Sequence, residues 1–448
     1  MSYSIPSELN YSTLSRMYPS TKSQLRKAPF NGAIFNQGSL IQIQIPRMDR
    51  AFLNPATSAL NYSVRFNFST AGTAAAVGDS KLIMLGTAWS PFRRYTSQQQ
   101  GGQSIDQIDA VNLIVNSLLN MTMNTAERNA NVGLGFNETN PLSNIAQEWL
   151  IAAASNTASA HSSSMSFSIP FLGALGSSSQ MIPLTSDLEL NLTLDNVSNY
   201  MISVGNGTLI NVEISSVEFV SDVLTLENQG YQELLSQNPN GFSLKSQSFS
   251  YSSGVPLSGA FSGSQDITIP FSLNSLKQVI WWASPTDAWD RSYGGVNPNL
   301  ASYNLVIGST SYPNLPVKCQ SVSELFYNNQ VAFGAFQSSN HTGACPRSTI
   351  RSSTANGEFP QYTFGAVSYA NSLVTSANKC YFALDLETIN QMKSSLYSGI
   401  STRGSTNTLR LNVANSLKSS FSMNIHIVAC YDVVLNFDYN QGVVTYST

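Results

Sequence analysis

Charge is scarce in this chain. Asp, Glu, Lys and Arg make up 10% of its 448 residues and the formal charge is −3, whereas an average soluble domain carries about 25% charged residues. So sparse and balanced a charge excludes a basic wrapper of nucleic acid, charge-driven disorder, and a coiled coil rich in Glu, Lys and Leu. Only three histidines occur (His161, His341, His426), and the four cysteines (Cys319, Cys345, Cys380, Cys430) all lie in the last third. His341 and Cys345 form the one close His/Cys pair, and a structural zinc takes four such ligands at tight spacing. No metal or cofactor is therefore expected. Cysteines at no metal-ligand spacing read as reduced thiols of a chain made in cytosol or nucleus. No apolar run approaches the ~18–20 residues of a membrane span. The opening Met1-Ser2-Tyr3-Ser4-Ile5-Pro6 lacks the charged-then-apolar order of a secretory signal, so the chain is expected not to be secreted.

Catalytic motifs are missing too. A serine nucleophile on an elbow wants Gly-x-Ser-x-Gly. The nearest string, Gly399-Ile400-Ser401-Thr402-Arg403-Gly404, is one residue too long and follows an expected helix. Gly133-Leu134-Gly135 and Gly205-Asn206-Gly207 lack the third glycine of a phosphate cradle. The chain is not expected to be an enzyme. A pair of distant carboxylates on a polysaccharide-acting β-sandwich is the weakest of the readings left open.

What is present is a polar but uncharged surface and enough material for a core. Ser, Thr and Asn together supply roughly a third of the residues, and hydrophobic residues 42%. The dominant period is two, that of strands with one buried face. Ile41, Ile43 and Ile45 alternate with Gln42 and Gln44; Leu60, Tyr62, Val64, Phe66 and Phe68 with Asn61, Ser63, Arg65 and Asn67. Leu188, Leu190, Leu192 and Leu194 alternate likewise, as do Leu409, Leu411 and Val413, then Met423, Ile425 and Ile427. Clean alternation argues for antiparallel sheets. At 212–217 the phase slips by one, which predicts a bulge.

Helical spacing is confined to short stretches. It predicts helices over 104–121, from Ser143 through Trp149 and Leu150, from Ser321 through Val331, and from Leu386 to Leu396, with a linking helix inside 220–235. Polar low-complexity stretches at 70–79, 98–103, 155–164 and 338–356 read as loops. The turn-forming cluster Gln237-Asn238-Pro239-Asn240-Gly241 divides the chain into an arm (1–35), a first unit (36–236) and a second unit (237–448). In the arm, Arg16, Lys22, Arg26 and Lys27 face one acid, Glu8, and apolar periodicity is absent. These four are the candidates for contact with an anionic surface or a neighbouring subunit. Trp281-Trp282 is the largest aromatic cluster and a candidate subunit interface or core element. His161 and His426 are expected on the solvent side.

The order of elements resembles that of the double jelly-roll major capsid proteins of the adenovirus and tailless-phage lineage, nearest to those of virophages and Polinton-like viruses. Gly38-Ser39-Leu40-Ile41-Gln42-Ile43-Gln44-Ile45-Pro46 followed by Phe52-Leu53-Asn54 looks like the family's opening strands. The segment from Val217-Glu218-Phe219 to Thr225-Leu226 is similar to its closing strand and inter-barrel helix. Ile269-Pro270-Phe271-Ser272-Leu273-Asn274-Ser275-Leu276-Lys277 resembles its Ser-Leu-Lys strand, and Tyr303-Asn304-Leu305-Val306-Ile307-Gly308-Ser309 the next one.

The resemblance implies an all-β chain of two jelly-roll β-sandwiches in tandem, with short helices in the long loops. It implies a homotrimeric, pseudo-hexameric tile of an icosahedral shell around a DNA genome, with no catalysis and a place in the virion. Its partners would be neighbouring capsomers, penton and minor or cement proteins, and an internal membrane or packaged DNA reached by the arm. Deleting 1–30 is then expected to leave the trimer intact. The competing reading is a β-sandwich spike that binds a receptor or glycan through the 338–356 loop.

Overall fold

Side chains that alternate in polarity can be satisfied only where one face of a strand is dry and the other wet, and most of the chain takes that form. The computed structural model describes residues 19–70, 80–99, 101, 103–123, 145–151, 159–204, 207–257, 263–285, 300–319, 322–332, 381–387, 398–413, 423–438 and 444–447. The first half begins with β1 (Ser20–Lys27), β2 (Ile34–Phe35), β3 (Leu40–Ile45), β4 (Ala51–Leu53), β5 (Ala59–Thr70), β6 (Ser80–Leu85) and β7 (Phe92–Gln99). It continues through β8 (Ser104–Asp109), α1 (Val111–Thr122), β9 (Ile145–Ile151), β10 (Ser159–Pro170) and the single turn α2 (Gly173–Gly176). It closes with β11 (Ile182–Pro183), β12 (Leu188–Leu194), β13 (Met201–Val204), β14 (Gly207–Leu226) and α3 (Asn228–Gln237). The second half opens with β15 (Phe242–Leu257), β16 (Gly263–Ile269), β17 (Leu276–Pro285), β18 (Leu300–Ile307) and β19 (Thr310–Lys318). After α4 (Val322–Ala332) come β20 (Phe382–Asp385), β21 (Asn407–Val413), β22 (Met423–Phe437) and β23 (Val444–Ser447).

Every ladder between these strands is antiparallel and stays within one half. In the first, β10-β5-β14-β4-β11 form one sheet, to which β1 and β2 add through β14. It is accompanied by the sheet β3-β12-β7-β8 and by a smaller sheet, β13-β6-β9. The second half pairs β15-β22-β17-β20, with β23 added on β22, and β16-β21-β18-β19. The expected alternation is realised in the registers. Leu188, Leu190 and Leu192 stand opposite Ile45, Ile43 and Ile41, and all six are buried. The predicted phase slip is also there: the β14–β5 register shifts between Ser215 and Glu218, where Ser216 takes a φ of 52°.

Several expected helices turn out differently. The stretch 104–109 is strand, and only 111–122 is helical. Against β7 the register jumps so that Ile105 is an extra, bulged residue. The bulge breaks the period of two, and the spacing of Ile105 and Ile108 imitates a helix. The helix expected after Ser143 is β9, with Trp149 opposite Leu82. Part of the 155–164 loop, from 159 onward, is β10, which pairs with β5 alone at a sheet edge, where no apolar pattern is demanded. The linking helix starts later than expected, because β14 runs to Leu226 before α3 begins at Asn228. The helix expected after Ser321 is α4. Residues 388–396 of the 386–396 helix, and the 338–356 loop, lie outside the described residues.

The core of buried residues is continuous from Phe35 to Phe437, through both halves. Trp281 and Trp282 belong to it: each is 0% exposed in the single chain, which corrects their placing at a subunit interface. The reason is that β17 lies between β22 and β20, and every residue from Val279 to Ala283 is buried. Trp281 stacks on Phe382 at 4.0 Å and meets Tyr303 edge-on at 5.2 Å. The edge of β20 is closed by α4. Asn329 donates to the Tyr381 carbonyl and accepts from the Ala383 amide, both at 2.9 Å, which blunts an otherwise open strand edge. Among the described residues no helix is long and apolar enough to cross a membrane.

Trp281→Ala should lower the free energy of unfolding by about 3–5 kcal/mol, read from a denaturant titration. A folded chain of unchanged stability that has merely lost its partners would return the ring to a subunit contact.

Candidate functional site

The basic arm residues come first. Over Ser20–Lys27 the arm is an edge strand, all eight residues paired with β14. Its missing periodicity reflects exposure on both faces. Lys22 reaches Asp222 at 2.8 Å and Arg26 reaches Glu218 at 3.6 Å. Exposed pairs like these contribute about 0–1 kcal/mol each, but they neutralise two of the cations expected to face an anionic partner. Lys27 stands opposite Phe219, and Arg16 lies outside the described residues. Deleting 1–30 would strip β1 from β14 and leave that edge of the sheet open.

The histidines and cysteines make no reactive centre among the described residues, where no three His, Cys, Asp or Glu gather around a metal-sized space. His426 is 6% exposed, not on the solvent side. Its ring stacks against Trp282 at 5.0 Å. Its Nδ1 lies 2.7 Å from the Tyr251 hydroxyl and its Nε2 2.7 Å from Ser284 Oγ. Burial pulls its pKa down to about 4, so the ring is neutral at physiological pH. Cys319 and Cys430 are buried free thiols, and burial pushes Cys430 up to about 12. His341, Cys345 and Cys380 lie outside the described residues, as does the side chain of His161. The serine string at 399–404 is a loop folded onto β17: Ile400 and Leu276 exchange backbone hydrogen bonds of 2.8 and 2.9 Å. A Cβ on Gly399 would sit 2.3 Å from the Leu276 carbonyl oxygen.

Two buried polar centres emerge instead. In the second sandwich, Lys277 Nζ contacts Glu387 at 2.6 Å and Asp432 at 3.6 Å. Asp432 also accepts from Ser275 Oγ at 2.7 Å, and that oxygen accepts from the Gly399 amide at 2.9 Å. Burial pulls the Lys277 ammonium down, but the hydrogen bond to Glu387 and the two carboxylate charges outweigh it, and its pKa ends raised. Lys277 closes the Ser-Leu-Lys string, yet its partners are more than a hundred residues away in the chain, and no local pattern announces them.

The other centre joins the two sandwiches. Asp106 of β8 is 2% exposed. Its Oδ2 accepts from the Ala174 amide at 2.7 Å, and its Oδ1 from Ser248 Oγ of β15 at 2.6 Å. Ser246, also on β15, donates to the Ala174 carbonyl. Close approach here requires glycine: Gly173 has φ +76°, and a Cβ would fall 2.5 Å from Asp106 Oδ2. Beside this polar strip, Phe52 meets Phe242 edge-on at 5.8 Å and Tyr231 of α3 at 6.3 Å. Outside, large apolar side chains stand exposed in two places. Phe30, Ile34 and Leu40 lie in the first half, Leu315 and Tyr327 in the second, with Leu315 82% exposed on the edge strand β19.

No protein-family model matches the chain, and no curated protein matches its sequence. Solved structures do match, end to end. The PBCV-1 virus capsid protein superposes with a TM-score of 0.58 at 12% identity, over 98% of this chain and 99% of its own. The Faustovirus major capsid protein gives 0.57 at 9% identity, over 96% and 92%. The mavirus major capsid protein gives 0.54 at 10% identity, over 100% and 95%. This chain has their fold, two jelly-roll sandwiches in tandem.

Lys277→Met should cost about 3–5 kcal/mol at neutral pH, because the buried Asp432 and the half-buried Glu387 lose their cation. Chemical denaturation of the variant and the wild type at pH 7 checks it. His426 should stay neutral until pH approaches 4. Its depressed pKa gives stability that is present above about pH 6.5 and is lost as pH falls toward 4. An imidazole NMR signal that titrates near 6.5 would contradict the buried site.

Proposed function

We propose that this chain is a viral major capsid protein, a structural subunit whose homotrimers form pseudo-hexameric tiles of an icosahedral shell around a DNA genome. The observation that carries this reading is the match of both sandwiches, in order and over nearly the whole length of each chain, to the PBCV-1 capsid protein. A ring of three closes when one patch on a subunit meets a different patch on the next. The exposed apolar groups of the first half and of the second suit such a contact. The neutral Ser/Thr/Asn surface suits dense packing, where long charged side chains would have to be ordered at an entropic cost. The chain would act in the virion, beside neighbouring capsomers, penton and minor or cement proteins. Residues 1–19, with Arg16, would meet an internal membrane or packaged DNA. No specific observation favours the spike or the polysaccharide-acting enzyme.

Light scattering with negative-stain images of the same peak tests the proposal. A mass of roughly three chains, with hexagonal plates or shells, is the expected result. A monodisperse monomer that forms no particles at any salt would overturn it. Leu315→Asp should change the folding stability by no more than about 0.5 kcal/mol, as surface substitutions do, yet shift the mass toward the monomer.

A further inference from the structure

We infer that Asp106 is a proton-operated latch between the two sandwiches, clamping β8 and α2 onto β15 when it is neutral and loosening that junction when it ionises. The geometry carries the inference. One carboxyl group holds an amide of the first sandwich through Oδ2 and a hydroxyl of the second through Oδ1. It lies where the chain has almost no solvent access. The inference concerns the junction alone and holds whatever the tile assembles into.

Among the described residues, no cation faces Asp106 to balance a negative charge. Of the ionisable groups on the described elements packed around it, Tyr95 of β7 is buried and would itself add negative charge. Arg94 of β7 is paired with Asp109 of β8, Arg93 of β7 and Lys245 of β15 are exposed, and α2 has no ionisable side chain. Burial therefore dominates. It pushes Asp106 from 3.8 up to about 6, against the opposing pull of the Ser248, Ala174 and Gln107 hydrogen bonds. A raised carboxyl pKa means that the contribution is complete below about pH 3.8 and is lost as pH rises through about 6. With those two values the junction should open about tenfold less readily at pH 5 than at pH 7.5. His426 has the opposite sign, so overall stability against pH mixes the two groups, and a comparison at the junction separates them.

Hydrogen exchange of the β15 amides in the full chain tests the latch, with rates corrected for the intrinsic effect of pH. Wild-type protection should rise about tenfold between pH 7.5 and pH 5. Asp106→Asn keeps the size, accepts from Ala174 and donates to Ser248, but cannot ionise. It should be protected at both pH values alike. A variant with the wild-type pH response would overturn the latch. If the Asn variant does not fold, Ser248→Ala serves. It removes a hydrogen bond that favours the ionised form, so the midpoint of the response should move to higher pH, and an unmoved midpoint would sink the inference.

Discussion

Two sandwiches act as one rigid body only if the surface between them is dry and its polar groups are paired. That constraint falls on a few residues here. Phe52 and Phe242 meet there as buried rings, and the short turn α2 is drawn against β15 by Ser246 and, through Ser248, by Asp106. A Cβ at Gly173 would push the carboxylate out of place. A symmetric ring closes only when every subunit presents its two contact surfaces at a fixed angle, so in the proposed trimer a loose junction would be harmful however well each sandwich folded.

Within each sandwich the work is ordinary sheet physics with one departure. Leucine and isoleucine stack across strands in register, and strand edges are blunted by Asn329 or by the two lysines and the arginine of β1. The departure is Lys277, a cation drawn inside and held by Glu387 and Asp432. A buried ion pair of this kind adds little net stability over apolar residues of similar volume, yet breaking it is costly. It ties β17, β22 and the loop through Gly399 into one arrangement.

Legibility in the sequence followed the burial of one face. Strands β3, β5, β12 and β21 could be read directly, as could the bulge in β14, because water on one side imposes a period of two. Strands escaped that reading wherever the condition failed. β8 carries a bulge and is buried around Asp106, so it imitated a helix. β1 and the first, serine-rich part of β10 sit at sheet edges, and their sequences show no alternation. β17 is buried from Val279 to Ala283, on both faces, so the sequence left Trp281 and Trp282 open between a subunit interface and the core. The two polar centres left no trace, since Asp106 with Ser248, and Lys277 with Asp432, are joined by topology and not by spacing. His426 was misplaced for a related reason. Alternation set it against Ile425 and Ile427, but β22 lies between β15 and β17 and is covered on both faces.

The claim on which the rest stands is that the two sandwiches unfold as one. Native-state hydrogen exchange across a denaturant series, read by mass spectrometry at β12 of the first sandwich and β22 of the second, measures it directly. If the junction couples them, both strands lose protection at the same denaturant concentration. Loss at β12 while β22 stays protected, or the reverse, would show two independent domains on a tether and would contradict the account.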